Sequence, residues 1–437
     1  MSALNRLSAT SAARKLATRE ITAEALLADC VARIREREAD VRAFTFLDID
    51  AAMRRARELD AGPPAGLLHG LPIAVKDLFD TFDMPSGYGS PIYAENRPMS
   101  DAACVALARA AGAIVVGKTV TTEFATFHPG PTCNPHNLAH TPGGSSSGSA
   151  AAVADFMVPL AFGTQTAGSI VRPAAYCGVV GYKPTYGTVN RVGVKLISDT
   201  LDTIGALART VPDVALFVAA LTDRHELLID RPLADAPRIG LCRTYEWDRA
   251  QPETAGLFEQ TQERLRSTGG DVRDVTLPPP FAGLAQAQIT VMVHEVAKSL
   301  SYENARHRDQ LSPEMTTMID AGLAVSPAQY DAARELARTC RAMLPKVFAD
   351  VDVLLAPSTQ GEAPAGIAAT GDPLFNRIWT LLRVPVVHVP AGRGPRAMPL
   401  GLTVVGALAG DRATLLAADW IHARLGGGEH APSTGAP

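Results

Sequence analysis

Short apolar runs alternate with amphipathic stretches along most of this chain. Ala43 to Leu47, Ile73 to Lys76, Ala113 to Val116, Val158 to Phe162, Val353 to Ala356 and Val386 to Val389 read as strands. Helical pattern fills the intervals. Thr22 is an expected N-cap, with Glu24 in the first turn and Leu26, Cys30 and Ile34 on one face. Ala102 to Ala111 and Ala150 to Met157 are good helix-forming sequence, and residues 250 to 350 read as mainly helical. Strands alternating with helices predict an α/β fold, a large sheet core covered by helices on both faces.

The chain has 437 residues, and neither an internal repeat nor a Pro/Gly-rich linker divides it. The expected organisation is an N-terminal helical segment over 1–60 packed on the core, one large domain over 61–425, and a disordered tail over 426–437. A net charge of −4 supplies no basic surface for nucleic acid. Met1 to Glu20 lacks the apolar core of a secretory signal, and no apolar run reaches membrane-spanning length, so a cytoplasmic protein without membrane contact is expected. Six cysteines at 30, 104, 133, 177, 242 and 340 lack C-x-x-C spacing, which argues against a disulfide scaffold or zinc cluster. His128, His136 and His140 form a loose group in a proline-containing loop with no acidic residue joining them, so no metal site is expected.

One lysine changes this picture. Lys76 lies inside the apolar run Gly70 to Phe79, where its sequence neighbour Asp77 is the only charged partner on offer. The chain has 7 lysines against 34 arginines, so it usually places a fixed positive charge with arginine, which cannot lose its proton. Burial lowers a lysine's pKa, and a neutral amine can act as a general base. Two small-residue segments offer it protons. Pro142-Gly-Gly-Ser145-Ser146-Ser147-Gly148-Ser149 leads directly into the helical run at Ala150, and Gly163-Thr-Gln-Thr-Ala-Gly168-Ser169 reads as a tight turn after a strand. Such turns present catalytic groups.

At these residues the chain resembles the amidase signature family of serine hydrolases. The resemblance runs from Glu20-Ile-Thr-Ala-Glu24 through Gly70-Leu-Pro-Ile-Ala-Val-Lys-Asp77 to Pro399-Leu-Gly-Leu-Thr-Val-Val-Gly406. It implies a mixed sheet between helices and a triad of Lys76 as base, Ser145, on a cis peptide bond, as relay, and Ser169 as nucleophile. Ser146 is expected to brace the lysine and the relay. The turn Thr166, Ala167 and Gly168 would aim backbone N–H groups at the oxyanion. The commonest family form has aspartate at the Gln165 position and glycine at the Ala167 and Ser147 positions. Alanine disfavours positive φ, so the turn is expected to keep Ala167 out of that region.

The chemistry needs these residue types. A serine hydroxyl attacks poorly unless its proton is removed, and a second hydroxyl can accept that proton while donating its own to the amine. The expected reaction is hydrolysis of a C–N acyl bond through a Ser169 acyl-enzyme, in linear amides first, with carbamates, ureas, hydrazides and esters open to the same mechanism. No cofactor or metal is implied, the partner is a small-molecule amide or related substrate, and a homodimer is possible. The second reading is the A subunit of a glutamine-dependent amidotransferase complex.

Two other motifs compete. Gly112-Ala-Ile-Val-Val-Gly117-Lys118-Thr119 satisfies the Walker A pattern, but its intervening residues read as the strand itself. Lys118 is then expected at a strand end near the surface or packed along its stem. Gly144-Ser-Ser146-Ser-Gly148 satisfies G-x-S-x-G, but a proline-containing loop precedes it, not a strand, and His307 and His388 have no distinctive context. For the substrate, Arg172 resembles the carboxylate-binding arginine of malonamidase-like members, and a structural arginine pairing with a buried carboxylate or backbone carbonyls is the alternative. Asn376 to Thr380 is similar to those members' C-terminal segment, and Arg383 stands where a small residue is more usual.

Overall fold

The computed structural model describes residues 3–426; the tail expected to be disordered lies, from 427 onward, outside the described residues. Eleven strands form one sheet: β1 (Phe44–Leu47), β2 (Pro72–Lys76), β3 (Ile114–Thr119), β4 (Leu160–Gln165), β5 (Val180–Lys183), β6 (Thr203–Ala208), β7 (Arg238–Leu241), β8 (Asp271–Asp274), β9 (Val353–Pro357), β10 (Val386–Arg393) and β11 (Pro399–Gly406). Their order across the sheet is β1-β3-β2-β4-β6-β5-β10-β11-β9-β7-β8. The sheet is mixed. β2 runs parallel to both β3 and β4, and β7 parallel to β8 and β9, whereas the other neighbours are antiparallel.

Every residue of β2, β3, β4 and β6 is buried, which is why these strands read as continuous apolar runs and not as alternating ones. The helix Ser147–Ala154, buried over its whole length, packs on β2, β3, β4 and β6. Val211–Thr222 covers β4, β5 and β6, and Asp411–Arg424 covers β10 and β11. Thr22 caps Ala23–Val41 as expected, its Oγ1 accepting from the Ala25 N–H at 3.1 Å.

The expected strands are all present, some longer than the apolar runs that marked them. β3 continues through Gly117, Lys118 and Thr119 because each pairs with β2, and that pairing is invisible in β3's own sequence. The helix after the serine-rich segment begins at Ser147, ahead of Ala150: Ser147, Gly148 and Ser149 form its first turn. β1 brings the first 60 residues into the sheet as an edge strand beside β3.

This order positions the site. Lys76 is the last residue of β2 and Gln165 the last of β4, and the two strands are parallel neighbours. Their carboxyl ends therefore open on the same edge, where open α/β sheets place their reactive groups.

Candidate active site

Lys76 is fully buried, and three hydroxyls surround its amine: Thr164 Oγ1 at 2.7 Å, Ser145 Oγ at 2.8 Å and Ser146 Oγ at 3.0 Å. A neutral amine carries two N–H donors and one lone pair, and three hydroxyls can meet that set because each donates or accepts. Ser146 Oγ donates to the Thr164 carbonyl and accepts from the Thr164 N–H, both at 3.3 Å. Burial holds the amine's pKa well below its ordinary 10.5, with Asp202 pulling the other way and Arg172 pushing it lower still. No carboxylate among the described residues lies within ion-pair distance of it.

The neighbour Asp77 is not its partner. Asp77 turns to Lys118, 3.0 Å away across the β2–β3 pair, and Lys118 also donates to the Phe79 carbonyl at 2.8 Å and Ser86 Oγ at 2.6 Å. Lys118 is thus fully buried, which rules out the first of its two expected places, a strand end near the surface. Lys183 is buried too, donating to the Val384 and Pro184 carbonyls, and burial pushes its pKa down to about 7. Among the described residues three lysines are therefore buried, and only Lys76 has hydroxyls alone as partners. Scarcity of lysine did not single it out; its surroundings do.

Ser145 follows a cis peptide bond from Gly144. Its flanks are tightly specified. Gly143 takes φ +80°, and a side chain on Gly144 would meet Thr370 and Thr122. A Cβ on Gly148 would lie 2.1 Å from the Ala43 carbonyl oxygen and 2.5 Å from the Val120 nitrogen, so only glycine lets this helix start against the sheet. Arg172 anchors the segment from the other side. Its Nε and Nη2 donate to the Gly144 carbonyl at 3.0 and 2.7 Å, and its Nη1 donates to the Gly371 carbonyl at 2.5 Å. Burial lowers its pKa to about 10, far enough above neutrality to keep its charge. All three of these contacts go to backbone carbonyls.

The turn after β4 is clamped by its carbonyls. The Thr166 carbonyl accepts from Gln288 Nε2 at 3.0 Å, the Ala167 carbonyl from Thr380 Oγ1 at 2.8 Å, and the Gly168 carbonyl from the Arg172 N–H at 2.8 Å. Among the described residues, the N–H groups of Ala167, Gly168 and Ser169 donate to no protein acceptor. Ala167 keeps out of the positive-φ region, as its side chain requires. Gln165 lies beneath, its Oε1 accepting from the Ile170 and Val171 N–H groups at 2.9 and 3.1 Å and its Nε2 donating to Thr380 Oγ1 at 3.0 Å. Thr166 Oγ1 donates to Asp202 at 2.5 Å. Ser169 is buried, and its carbonyl accepts from the Ser146 N–H at 3.3 Å, which ties the two serine segments together. Ser145 Oγ and Ser169 Oγ are not hydrogen-bonded to each other; such contacts commonly tighten only in the substrate complex.

Thr164, Asp202, Gln288 and Thr380 were not singled out in the sequence. Thr164 had a signal, since it lies in the same segment as Ser169 and shares the strand that ends in the turn, and Thr380 closes the segment Asn376 to Thr380 marked by resemblance, without a role assigned to it. The rival motifs lead elsewhere. Gly112–Thr119 is strand through most of its length, and Ser146 makes no hydrogen bond to any histidine. His388 pairs with Ser358 at 2.7 Å, fully buried, and burial pushes its pKa down to about 3. His128, His136 and His140 do not converge, and no cluster of three metal-ligating side chains occurs among the described residues. All six cysteines are buried free thiols. No described helix is long and apolar enough to cross a membrane.

Comparison with known proteins bears on the same residues. The family profile described as Amidase matches residues 25–415. The chain is 35% identical to the A subunit of the glutamyl-tRNA(Gln) amidotransferase of Acidothermus cellulolyticus over 472 aligned positions, covering 94% of this chain and 93% of that one. A crystal structure of an amidase superposes with a TM-score of 0.88 at 31% identity, covering 96% of this chain and all of that one. The peptide amidase from Stenotrophomonas maltophilia superposes with a TM-score of 0.82 at 27% identity, covering 98% and 99%.

Proposed function

The chain belongs to the amidase signature family, and from that premise we propose that it hydrolyses C–N acyl bonds of small linear amides through an acyl-enzyme on Ser169. The observation that carries this reading is the amine of Lys76, buried without a countercharge among three hydroxyls. In the proposed first step Ser169 Oγ bonds to the carbonyl carbon while its proton passes to Ser145 Oγ and the Ser145 proton passes to Lys76 Nζ. Thr166, Ala167 and Gly168, with the Ser169 N–H, form the oxyanion turn, whose carbonyls are already held away by Gln288, Thr380 and Arg172. The C–N bond then breaks as Ser145 gives a proton to the leaving nitrogen and takes one back from Lys76 Nζ, which leaves the amine neutral again. Water attacks the acyl carbon by the same relay and frees Ser169.

Ser146 serves as the brace of Lys76. Arg172 serves as a positioning residue, holding the Gly144 carbonyl at the relay's doorstep. The test is a panel of small amides with Lys76, Ser145 and Ser169 changed singly to alanine. Ser169→Ala is expected to lower kcat by at least ~10⁴-fold. Wild-type turnover in that variant would end the proposal.

The curated relatives favour a second reading, in which the chain is the A subunit of a glutamine-dependent amidotransferase complex. The chemistry at Ser169 is then the same, with glutamine as the amide and a partner receiving the ammonia. Turnover of simple amides by the isolated chain supports the first reading; glutaminase activity only with a co-purifying partner supports the second.

A further inference from the structure

A groove of about 410 Å³ opens between the helix Pro327–Val347 and the segment Leu381 to Arg383. Arg334, Arg338 and Arg341 line it from one side of that helix, at the spacing that stacks residues on one helical face, and Arg383 lines it from the opposite wall. Asp331 and Glu335 are the acids that line it. Four guanidinium groups against two carboxylates leave two positive charges.

Countercharges do not hold three of these four arginines in place. Arg338 pairs with Glu335 at 2.5 Å, but among the described residues Arg334, Arg341 and Arg383 have no carboxylate within ion-pair distance. Aromatic faces and a carbonyl orient them. Arg383 lies over the Tyr186 ring at 4.4 Å, Arg334 over the Tyr330 ring at 5.3 Å, and Arg341 Nη1 donates to the Leu381 carbonyl at 2.9 Å. Arg383 also takes φ +65°, a backbone conformation that a non-glycine residue rarely adopts. The cation–π contacts leave guanidinium N–H groups free to donate.

We propose that this groove binds a small dianion, a dicarboxylate or a phosphate group, through Arg334, Arg338, Arg341 and Arg383. Paired N–H donors of a guanidinium match the two oxygens of either group. An incoming dianion also cancels the repulsion that makes Arg341 a weaker base than usual, where burial is the larger cause and the charges of Arg383, Arg334 and Arg338 add to it. The groove is distinct from the nucleophile turn, although Leu381 follows the Thr380 that clamps it, so binding and not turnover is the readout.

The experiment is titration calorimetry of the full chain at low ionic strength, where surface charges are least screened. Inorganic phosphate and succinate are the probes, with sodium chloride at matched ionic strength as the blank. Saturable binding is expected for at least one probe, and competition between the two assigns phosphate or carboxylate as the preferred group. Arg334→Gln with Arg383→Gln is expected to weaken binding by at least about tenfold. Arg334→Gln alone serves if the double variant does not fold, and Arg243→Gln, at an arginine outside the groove, is expected to bind as wild type. Ser169→Ala is also expected to bind as wild type, which keeps this result independent of the reaction proposed above. No saturable binding of either probe, or equal affinity in wild type and the groove variants, overturns the proposal.

Discussion

Lys76 owes its chemistry to what surrounds it, and the same surroundings affect stability. Its folded pKa is depressed below 10.5 by burial, so between that depressed value and 10.5 the unfolded chain binds a proton that the folded chain refuses. Stability from this residue therefore rises with pH across that window. Unfolding in denaturant as pH is raised towards about 10 is expected to show wild type gaining on Lys76→Met across that window, since Lys118 and Lys183 are common to both. A gap that does not change with pH would mean the amine is charged in the fold. Gln165 makes a second prediction. Gln165→Glu keeps the acceptor for the Ile170 and Val171 N–H groups but loses the donor to Thr380, which in turn holds the Ala167 carbonyl. A loosened turn should lower kcat by roughly 10-fold or more, the equivalent of one charged or neutral hydrogen bond, with little change in KM; an unchanged kcat would remove Gln165 from the positioning network. At this scale the sequence was only partly legible. Lys76, Ser145 and Ser169 stood out because their motifs are local, whereas the Asp77–Lys118 pair depends on the register of two strands and misled the reading of both residues.

The elements were legible where burial is continuous and obscure where glycine and serine start a helix. Ser147, Gly148 and Ser149 are poor helix formers, so the sequence placed the helix at Ala150, yet close contact of Gly148 with Ala43 and Val120 requires the turn to begin three residues earlier. Gly148→Ala pushes a methyl into backbone atoms of two other segments that have no flexible side chain to give way. It is expected to cost about 1–3 kcal/mol or more, read as a lowered denaturation midpoint; a midpoint equal to wild type would show that the helix start is free to shift. Thr380, Gln288 and Asp202 escaped notice for a related reason. They come from two other helices and the loop before β6 and meet the turn only through tertiary packing, so no spacing in the chain announces their roles.

Across the whole molecule, sheet order assembles the site. β2 and β4 are separated in sequence by β3 and by the helix-bearing serine segment, yet they lie side by side and deliver Lys76 and the Ser169 turn to one edge. Alternating strands and helices predicted a covered sheet, but the strand order could not be read from pattern because apolar runs do not specify their neighbours. The amidotransferase reading is also a question at this scale, since 472 aligned positions exceed the 437 residues of this chain, so the alignment with its relative carries segments that this chain lacks. The central claim, an uncharged Lys76 that draws a proton through Ser145 so that Ser169 attacks, is tested most directly by the pH dependence of labelling with a fluorophosphonate. The account predicts one labelled residue, Ser169, with a rate that rises with pH through a single ionisation and is lost in Lys76→Ala. A label on Ser146, or labelling of Lys76→Ala at the wild-type rate, would contradict it.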